Sequence, residues 1–201
     1  MAELYQNDDD PKEVERSARA VYFYIGQFLT RYQTIEDSLL GLFKIALSGS
    51  EDRATRIFNQ VNGLESKLEL VSAALLEKDD DFRSVWSELR TRIKLCFDNR
   101  NQIAHSTAFT AGRGLMIVFD EEKKETAIAG YKQKYTQLKL EKKTKSGAVV
   151  WDEKMLMAVR DDAYRLHSHV VAFNQALKGQ KVSQHLVSDW GNEVVSLWQG
   201  K

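Results

Sequence analysis

The sequence predicts a mainly α-helical protein, an antiparallel helical bundle with a small β hairpin or meander inserted at about 107–151. Along most of the 201 residues, apolar positions recur at alternating steps of three and four, which is typical of helices with one buried face. After Ser106, short apolar runs alternate with charged and glycine-containing segments, which favours strands and turns. No repeat or linker interrupts the pattern, so we expect a single domain over residues 1–201.

The first helix is expected to run from Pro11 to the segment SGS at 48–50. Its acidic start favours a helix N-terminus, where proline is also tolerated. Its apolar stripe consists of Ile25, Phe28, Tyr32, Ile35, Leu39, Leu42 and Ala46. A short helix over EDRATRIFNQV follows, and Asn62-Gly63 ends it.

Two further helices are predicted before the change of rhythm. The third carries Leu64, Leu68, Val71 and Leu75 and ends in the segment EKDDD. The fourth begins near Asp81 and runs directly into Arg100, with an apolar stripe formed by Phe82, Val85, Trp86, Leu89, Ile93, Cys96 and Phe97. Since the first, third and fourth helices each have one strong apolar face, they indicate a bundle.

The insert and the C-terminal part complete the prediction. Four runs have strand character, LMIVF, TAIAG, KYTQLKL and AVVW. Helix returns at Asp152 and is ended by Gly179, and its stripe consists of Leu156, Val159, Ala163, Leu166, Val170, Phe173 and Leu177. A last helix carries Leu186, Trp190, Val194, Leu197 and Trp198, and we interpret its tryptophans as core or dimer contacts.

Composition excludes several classes of function. Twenty-nine basic residues balance twenty-nine acidic ones, so no global field recruits nucleic acid or an anionic membrane. The only cysteine, Cys96, excludes an internal disulfide and suits a reducing compartment. The N-terminus lacks the apolar core of a signal peptide, and no apolar run is long enough to span a bilayer. We therefore expect a soluble cytoplasmic protein without a membrane partner.

Metal and nucleotide sites are not expected. His167 and His169 are two positions apart on a helix and point about 200° away from each other, so they do not form a helical metal-binding pair. The glycines of TAGRGLM precede a strand and do not open a helix, so a phosphate-cradling loop is not predicted. We therefore expect no cofactor.

The end of the fourth helix, DNRNQIAHS at 98–106, holds the candidate functional residues. Arg100 extends the stripe of Cys96 and Phe97, so it points towards packed protein, where a guanidinium needs a partner. Asn101 and His105 are four positions apart and share another face of the helix. On an ideal helix, His105 and Arg100 are separated by about 140°. The two faces do not converge in one straight helix, but two copies of this helix end across a two-fold axis can bring them together.

These residues carry a resemblance to a known family. The string Arg100-Asn101-x-Ile103-Ala104-His105-Ser106 resembles the signature of HEPN-domain proteins, which are all-α domains with an arginine, four to six residues and a histidine at the end of a bundle helix. The stretch RIFNQVNGLESKLELVSAAL is similar to the second and third helices of bacterial members. The resemblance covers roughly residues 20–106, and the β insert departs from the minimal family core.

The resemblance implies a HEPN-type fold and a metal-independent endoribonuclease that acts as a homodimer, in a toxin–antitoxin or phage-defence setting. His105 would then relay a proton during attack of a ribose 2′-hydroxyl on the adjacent phosphate, for which the imidazole pKa near 6.5 is suited. Arg100 would stabilise the phosphorane charge, and Asn101 would orient the histidine or the phosphate. Glu36, preferred over Asp37, could pair with Arg100 from the first helix. RNA and an antitoxin protein are the implied partners, besides a second copy that meets the first through residues 100–105.

The residues leave other interpretations open. Arg100 could form a structural ion pair with Glu36, while His105 caps the last carbonyls of its helix. The scaffold could also be a non-catalytic module that binds RNA, a nucleotide or a protein. Lysines at 132, 134, 139, 142, 143 and 145 could follow a phosphate backbone, although such residues more often protect an exposed edge strand.

Overall fold

The computed structural model describes residues 11–47, 49–115, 132–144 and 147–182 and is mainly helical in these ranges. The described elements are α1 (Pro11–Leu47), α2 (Glu51–Gln60), α3 (Leu64–Ala74), α4 (Asp80–Ala104), β1 (Thr107–Leu115), β2 (Lys132–Thr144), β3 (Gly147–Trp151) and α5 (Glu153–Leu177). These five helices and the small sheet confirm the coarse prediction, a helical protein with a β element within about 107–151.

The described residues form two compact units, which we call the sheet unit and the helical unit. The sheet unit comprises residues 11–26 and Gln102–Met157, and the helical unit comprises Gln27–Asn101 and residues 158–182. The single-domain organisation over 1–201 stays a prediction.

The helical unit is held together by contacts between α1, α3, α4 and α5. Tyr32 of α1 lies against Phe97 of α4, with ring centroids 6.1 Å apart, and the indole N–H of Trp86 on α4 donates to Ser72 Oγ on α3 at 2.8 Å. Phe173 of α5 stacks on Trp86 with centroids 6.1 Å apart. The helix α4 therefore contacts three other helices of this unit.

The core of the helical unit follows from the apolar stripes. The side chains of each stripe recur on one face and are removed from water, which stabilises the fold by roughly 1.5–3 kcal/mol for each large apolar side chain. The most deeply buried large apolar side chains of this unit are Phe28, Ile35, Leu39, Leu42, Leu68, Leu75, Leu89, Ile93 and Phe173.

The sheet has the strand order β1-β2-β3 and is antiparallel throughout. Leu140 pairs with Trp151, and both side chains are buried, so one face of the sheet is apolar at this position. The register shifts between Ala111 and Gly112, where glycine accommodates the irregular backbone of a bulge. A strand thus begins at Thr107, earlier than the run LMIVF predicted, and the glycines of TAGRGL lie inside this strand.

The lysine-rich run lies on the central strand. Of the six lysines, Lys132, Lys134, Lys139, Lys142 and Lys143 belong to β2, which pairs with β1 on one side and with β3 on the other. However, β3 pairs only with Leu140–Thr144 and β1 pairs with no residue beyond Glu141, so each of these lysines has a described strand on one side only. This arrangement agrees with the interpretation that the lysines protect an exposed strand edge.

Several predictions fall outside the described residues. The run TAIAG, most of LMIVF, Lys145 and the last helix with Trp190 and Trp198 belong to them. Within the described residues, none of the helices is both long and apolar enough to cross a membrane.

Candidate functional site

The predicted site residues at the C-terminal end of α4 do not share one environment. Arg100 and Asn101 belong to the helical unit and are half-buried, whereas His105 follows the last residue of α4, belongs to the sheet unit and is exposed. The half-burial of Arg100 agrees with its place on the apolar stripe.

The helix end is capped by Ser106. Its N–H donates to the Ile103 carbonyl at 3.1 Å, and its hydroxyl donates to the Gln102 carbonyl at 2.6 Å. His105 forms no side-chain hydrogen bond with any described residue. The structural interpretation in which His105 caps the last carbonyls is therefore wrong, because Ser106 does so and leaves the imidazole exposed to solvent.

Arg100 lines a cleft of about 320 Å³ in the helical unit. The lining includes Tyr32 and Glu36 of α1, Gly63 and Leu64 at the start of α3, and Phe97 and Arg100 of α4. Gly63 has a φ of 83°, a left-handed conformation that glycine adopts without strain, and this turn brings α3 against the cleft. Residues of three helices therefore line one concave surface, and its polar and aromatic side chains come from α1 and α4.

Glu36 is neutralised by a residue that the sequence did not indicate. Lys67 Nζ on α3 donates to Glu36 Oε1 at 2.7 Å, and both side chains are about three-quarters buried, with exposed fractions of 21% and 25%. The expected ion pair between Glu36 and Arg100 is therefore not formed. Its place is taken by Lys67, which α3 positions over the same part of α1.

Tyr32 completes the polar side of the cleft. Burial raises the pKa of the Tyr32 phenol, and the Glu36 carboxylate raises it further by its charge and by a hydrogen bond, while Arg100 acts in the opposite direction. The phenol therefore keeps its proton at neutral pH and can donate a hydrogen bond. Glu36 consequently has two partners, Lys67 and Tyr32, neither of them Arg100.

Arg100 itself has only a neutral partner among the described residues. Its Nη1 donates to Asn101 Oδ1 at 3.0 Å, and no carboxylate of the described residues forms an ion pair with it. An arginine is charged at every accessible pH and carries five N–H donors, so most of its bonding capacity remains available. A half-buried cation of this kind beside a cleft is suited to binding an anion from outside.

Two other arginines of the helical unit bind histidines of α5. Arg31 Nη1 donates to His167 Nδ1 at 3.1 Å, and Arg92 Nη1 donates to His169 Nδ1 at 2.8 Å. Both rings accept, so both are neutral. Burial lowers the pKa of His167, and the adjacent Arg31 lowers it further. Within the described ranges, no three His, Cys, Asp or Glu side chains are grouped so that they could hold a metal ion.

Sequence reasoning missed Lys67, the role of Tyr32 and the arginine–histidine pairs. Lys67 lies in the amphipathic segment LESKLEL, where a lysine resembles any solvent-exposed residue. In the sequence, Tyr32 cannot be distinguished from the other positions of the apolar stripe of α1. Only the packing of α3 against α1 identifies both, and no local pattern carries that information.

Comparisons with models of protein families, with curated proteins and with solved structures find no match to this chain.

Proposed function

We propose that this protein is a HEPN-like, metal-independent endoribonuclease that acts as a homodimer. The observation that supports the proposal is the state of Arg100, a half-buried guanidinium that lines a cleft and has an amide as its only described partner. The planar guanidinium can donate two parallel hydrogen bonds to the oxygens of a phosphodiester, so such an arginine is well suited to bind this anion.

Arg100 would bind the scissile phosphate and stabilise the charge that develops on its oxygens. Asn101 already holds one nitrogen of the guanidinium and so fixes the direction of its remaining donors. Glu36 would act as a positioning residue and not on the substrate, because its carboxylate is engaged by Lys67 and Tyr32. This neutralisation matters, since an unpaired carboxylate in the cleft would repel the phosphate.

His105 would carry the proton in the cleavage step. The ribose 2′-oxygen attacks phosphorus and gives its proton to a base, the bond from phosphorus to the 5′-oxygen breaks, and that oxygen takes a proton. The products are a 2′,3′-cyclic phosphate and a 5′-hydroxyl. The exposure of His105 supports this role, because an exposed imidazole without a described hydrogen-bond partner is accessible to substrate.

The homodimer is part of the proposal because of the geometry of α4. Arg100 and His105 lie on different faces of an ideal helix, about 140° apart, so two copies supply a complete set of groups more readily than one. A toxin or phage-defence role with an antitoxin partner is the biological setting that the HEPN resemblance suggests.

A non-catalytic binding module is the second candidate. It is favoured by one observation, that every lining residue of the cleft belongs to the helical unit, which does not include His105. An anion can thus be bound by Arg100 without any contribution from the histidine. RNA, a nucleotide or an acidic protein segment would then be the ligand.

A cleavage assay distinguishes the two candidates. The wild type is expected to cut single-stranded RNA in the presence of EDTA and to leave a 2′,3′-cyclic phosphate. His105→Ala is expected to lower the rate by about 10²–10⁴ with little change in melting temperature, because an exposed proton carrier holds little of the fold. Arg100→Ala is expected to lower cleavage and RNA binding together.

The matched control is Arg53→Ala, which removes an exposed arginine of α2 that does not line the cleft. This variant should cleave like the wild type. Cleavage that survives in His105→Ala would contradict the catalytic proposal. Absence of cleavage by the wild type, with saturable RNA binding that Arg100→Ala removes, would select the binding module.

A further inference from the structure

A second pocket in the helical unit shares no lining residue with the cleft. Its volume is about 190 Å³, and residues of α1, α4 and α5 line it. Phe28, Ala163 and Leu166 form an apolar wall, and each of them is at most 3% exposed. Arg92, Asn99 and Asp162 add polar groups to this lining.

Arg92 brings an uncompensated positive charge to this pocket. Its Nη1 donates to Nδ1 of His169, which is 2% exposed. Since arginine only donates, the imidazole accepts and is neutral. Arg92 forms no ion pair with any of the described residues, and the carboxylate in the pocket lining is that of Asp162. Placing a cation against apolar wall residues is costly unless an anion accompanies it.

The other polar groups of the pocket leave room for an anion. The Asn99 amide forms no hydrogen bond within the described part of the chain and offers two N–H donors. The Asp162 carboxylate is engaged by Arg165. Burial, and to a lesser extent Asp162, raises the pKa of the Cys96 thiol to about 12, so this thiol is uncharged at neutral pH. Since Asp162 is paired with Arg165, Arg92 is the cation of this lining that has no described ion-pair partner.

We propose that this pocket binds a small organic monocarboxylate with an apolar tail. The carboxylate would accept hydrogen bonds from Arg92 and from the Asn99 amide, and the tail would lie against Phe28 and Leu166. A cavity of about 150 Å³ is large enough for benzene, so a pocket slightly larger than that accommodates a single ring or a short branched chain with its carboxylate. The charge of Arg92 excludes cationic ligands and disfavours neutral ones.

Benzoate and benzamide provide a direct test, because they have nearly the same shape and differ in charge. Titration of each into the full chain, followed by heteronuclear NMR, should show saturable shifts with benzoate. Benzamide should bind at least about tenfold more weakly, since a charge-assisted hydrogen bond is roughly twice as strong as a neutral one. Equal affinity for the two compounds, or no saturable binding of benzoate, would overturn the proposal.

Two variants assign the binding to this pocket. Arg92→Met removes the charge and should weaken benzoate binding by about tenfold or more, because hydrogen bonds to charged groups are worth more than neutral ones. Ala163→Leu fills the pocket from its buried wall while Arg92 stays in place, and it should abolish binding even if Arg92→Met proves unstable. Arg53→Met, on the exposed surface of α2, should bind like the wild type. Unchanged benzoate affinity in Ala163→Leu would place the ligand elsewhere and contradict the proposal.

Discussion

Two arginines of α4 show how the same side chain is used in two different ways. Arg90 is engaged by two carboxylates of α3, Glu65 at 2.7 Å and Glu69. Hydrogen bonding to Glu65 raises the pKa of this guanidinium despite some opposing desolvation. Arg100, ten positions further along the same helix, has a neutral amide as its described partner. The first arginine is saturated within the fold, and the second retains its capacity for an external anion.

The difference has its origin in what α3 presents at each level. Near Arg90, α3 presents Glu65 and Glu69 on its exposed side, and they neutralise the arginine. The cleft that Arg100 lines contains the carboxylate of Glu36 on α1, but α3 supplies Lys67, which forms an ion pair with this carboxylate. The lysine therefore keeps Arg100 available without touching it. The saturated arginine fits a structural role, and the arginine whose cleft carboxylate is paired with Lys67 fits the anion-binding role proposed above.

Removal of the lysine should erase the difference. In Lys67→Met, Glu36 loses its cation, and the released carboxylate is free to pair with Arg100 across the cleft that both residues line. RNA cleavage and binding should then fall by roughly tenfold or more, because hydrogen bonds to charged groups are worth about 1.5–3 kcal/mol. The measurement is the cleavage rate on single-stranded RNA at constant salt.

The double variant Lys67→Met/Glu36→Gln is the control for this prediction. Glutamine cannot form an ion pair with Arg100, so activity should return towards that of the wild type although Lys67 is still absent. If the double variant is as impaired as Lys67→Met alone, Lys67 does not act by competing with Arg100 for the Glu36 carboxylate, and this prediction is wrong.

The two kinds of arginine partner should also respond to pH in different windows. The pKa of His167 is lowered from 6.5 by burial and by Arg31, so the folded state takes up a proton less readily than the unfolded state does. Its contribution to stability is complete above pH 6.5 and falls as the pH drops below that value. The pKa of Glu65 is lowered from 4.5 by hydrogen bonds from Lys94 and Arg90, so its contribution is present above pH 4.5 and falls below it.

Denaturant unfolding between pH 7.5 and 3.5 measures both windows. In His167→Gln, an amide oxygen can still accept from Arg31 but does not titrate, so the loss of stability between pH 6.5 and 5 should be smaller than in the wild type. In Glu65→Gln, the change should be confined to the window below about pH 4.5. A His167→Gln variant with the same pH dependence as the wild type would show that this ring is not held neutral.

The apolar stripes predicted the five described helices well because burial of one face leaves a strong periodic signal in the sequence. The strand β1 was missed because its segment TAFTAGRGL has two glycines and few large apolar residues, so neither its start nor its bulge at Gly112 has a local signature.

The site was predicted in part for the same physical reason. Half-burial of Arg100 could be inferred from its position on the stripe, because a face is a property of one helix. The choice of partner for Glu36 could not be inferred, because it depends on how α3 packs against α1. The arginine–histidine pairs of α5 were missed likewise, since Arg31 and His167 are 136 positions apart in the chain.

The most direct test compares Arg100→Met with Arg90→Met in binding of a non-cleavable RNA. A single-stranded RNA that is fully 2′-O-methylated lacks the attacking hydroxyl, so fluorescence anisotropy reports binding alone. Arg100→Met should weaken binding by about tenfold or more, because it removes a side chain that binds phosphate. The melting temperature should change little, because Arg100 forms no ion pair with a described carboxylate. Arg90→Met should bind like the wild type and lose only a few degrees of melting temperature, roughly the effect of a surface ion pair. Equal loss of RNA affinity in both variants would contradict the distinction between the saturated and the available arginine.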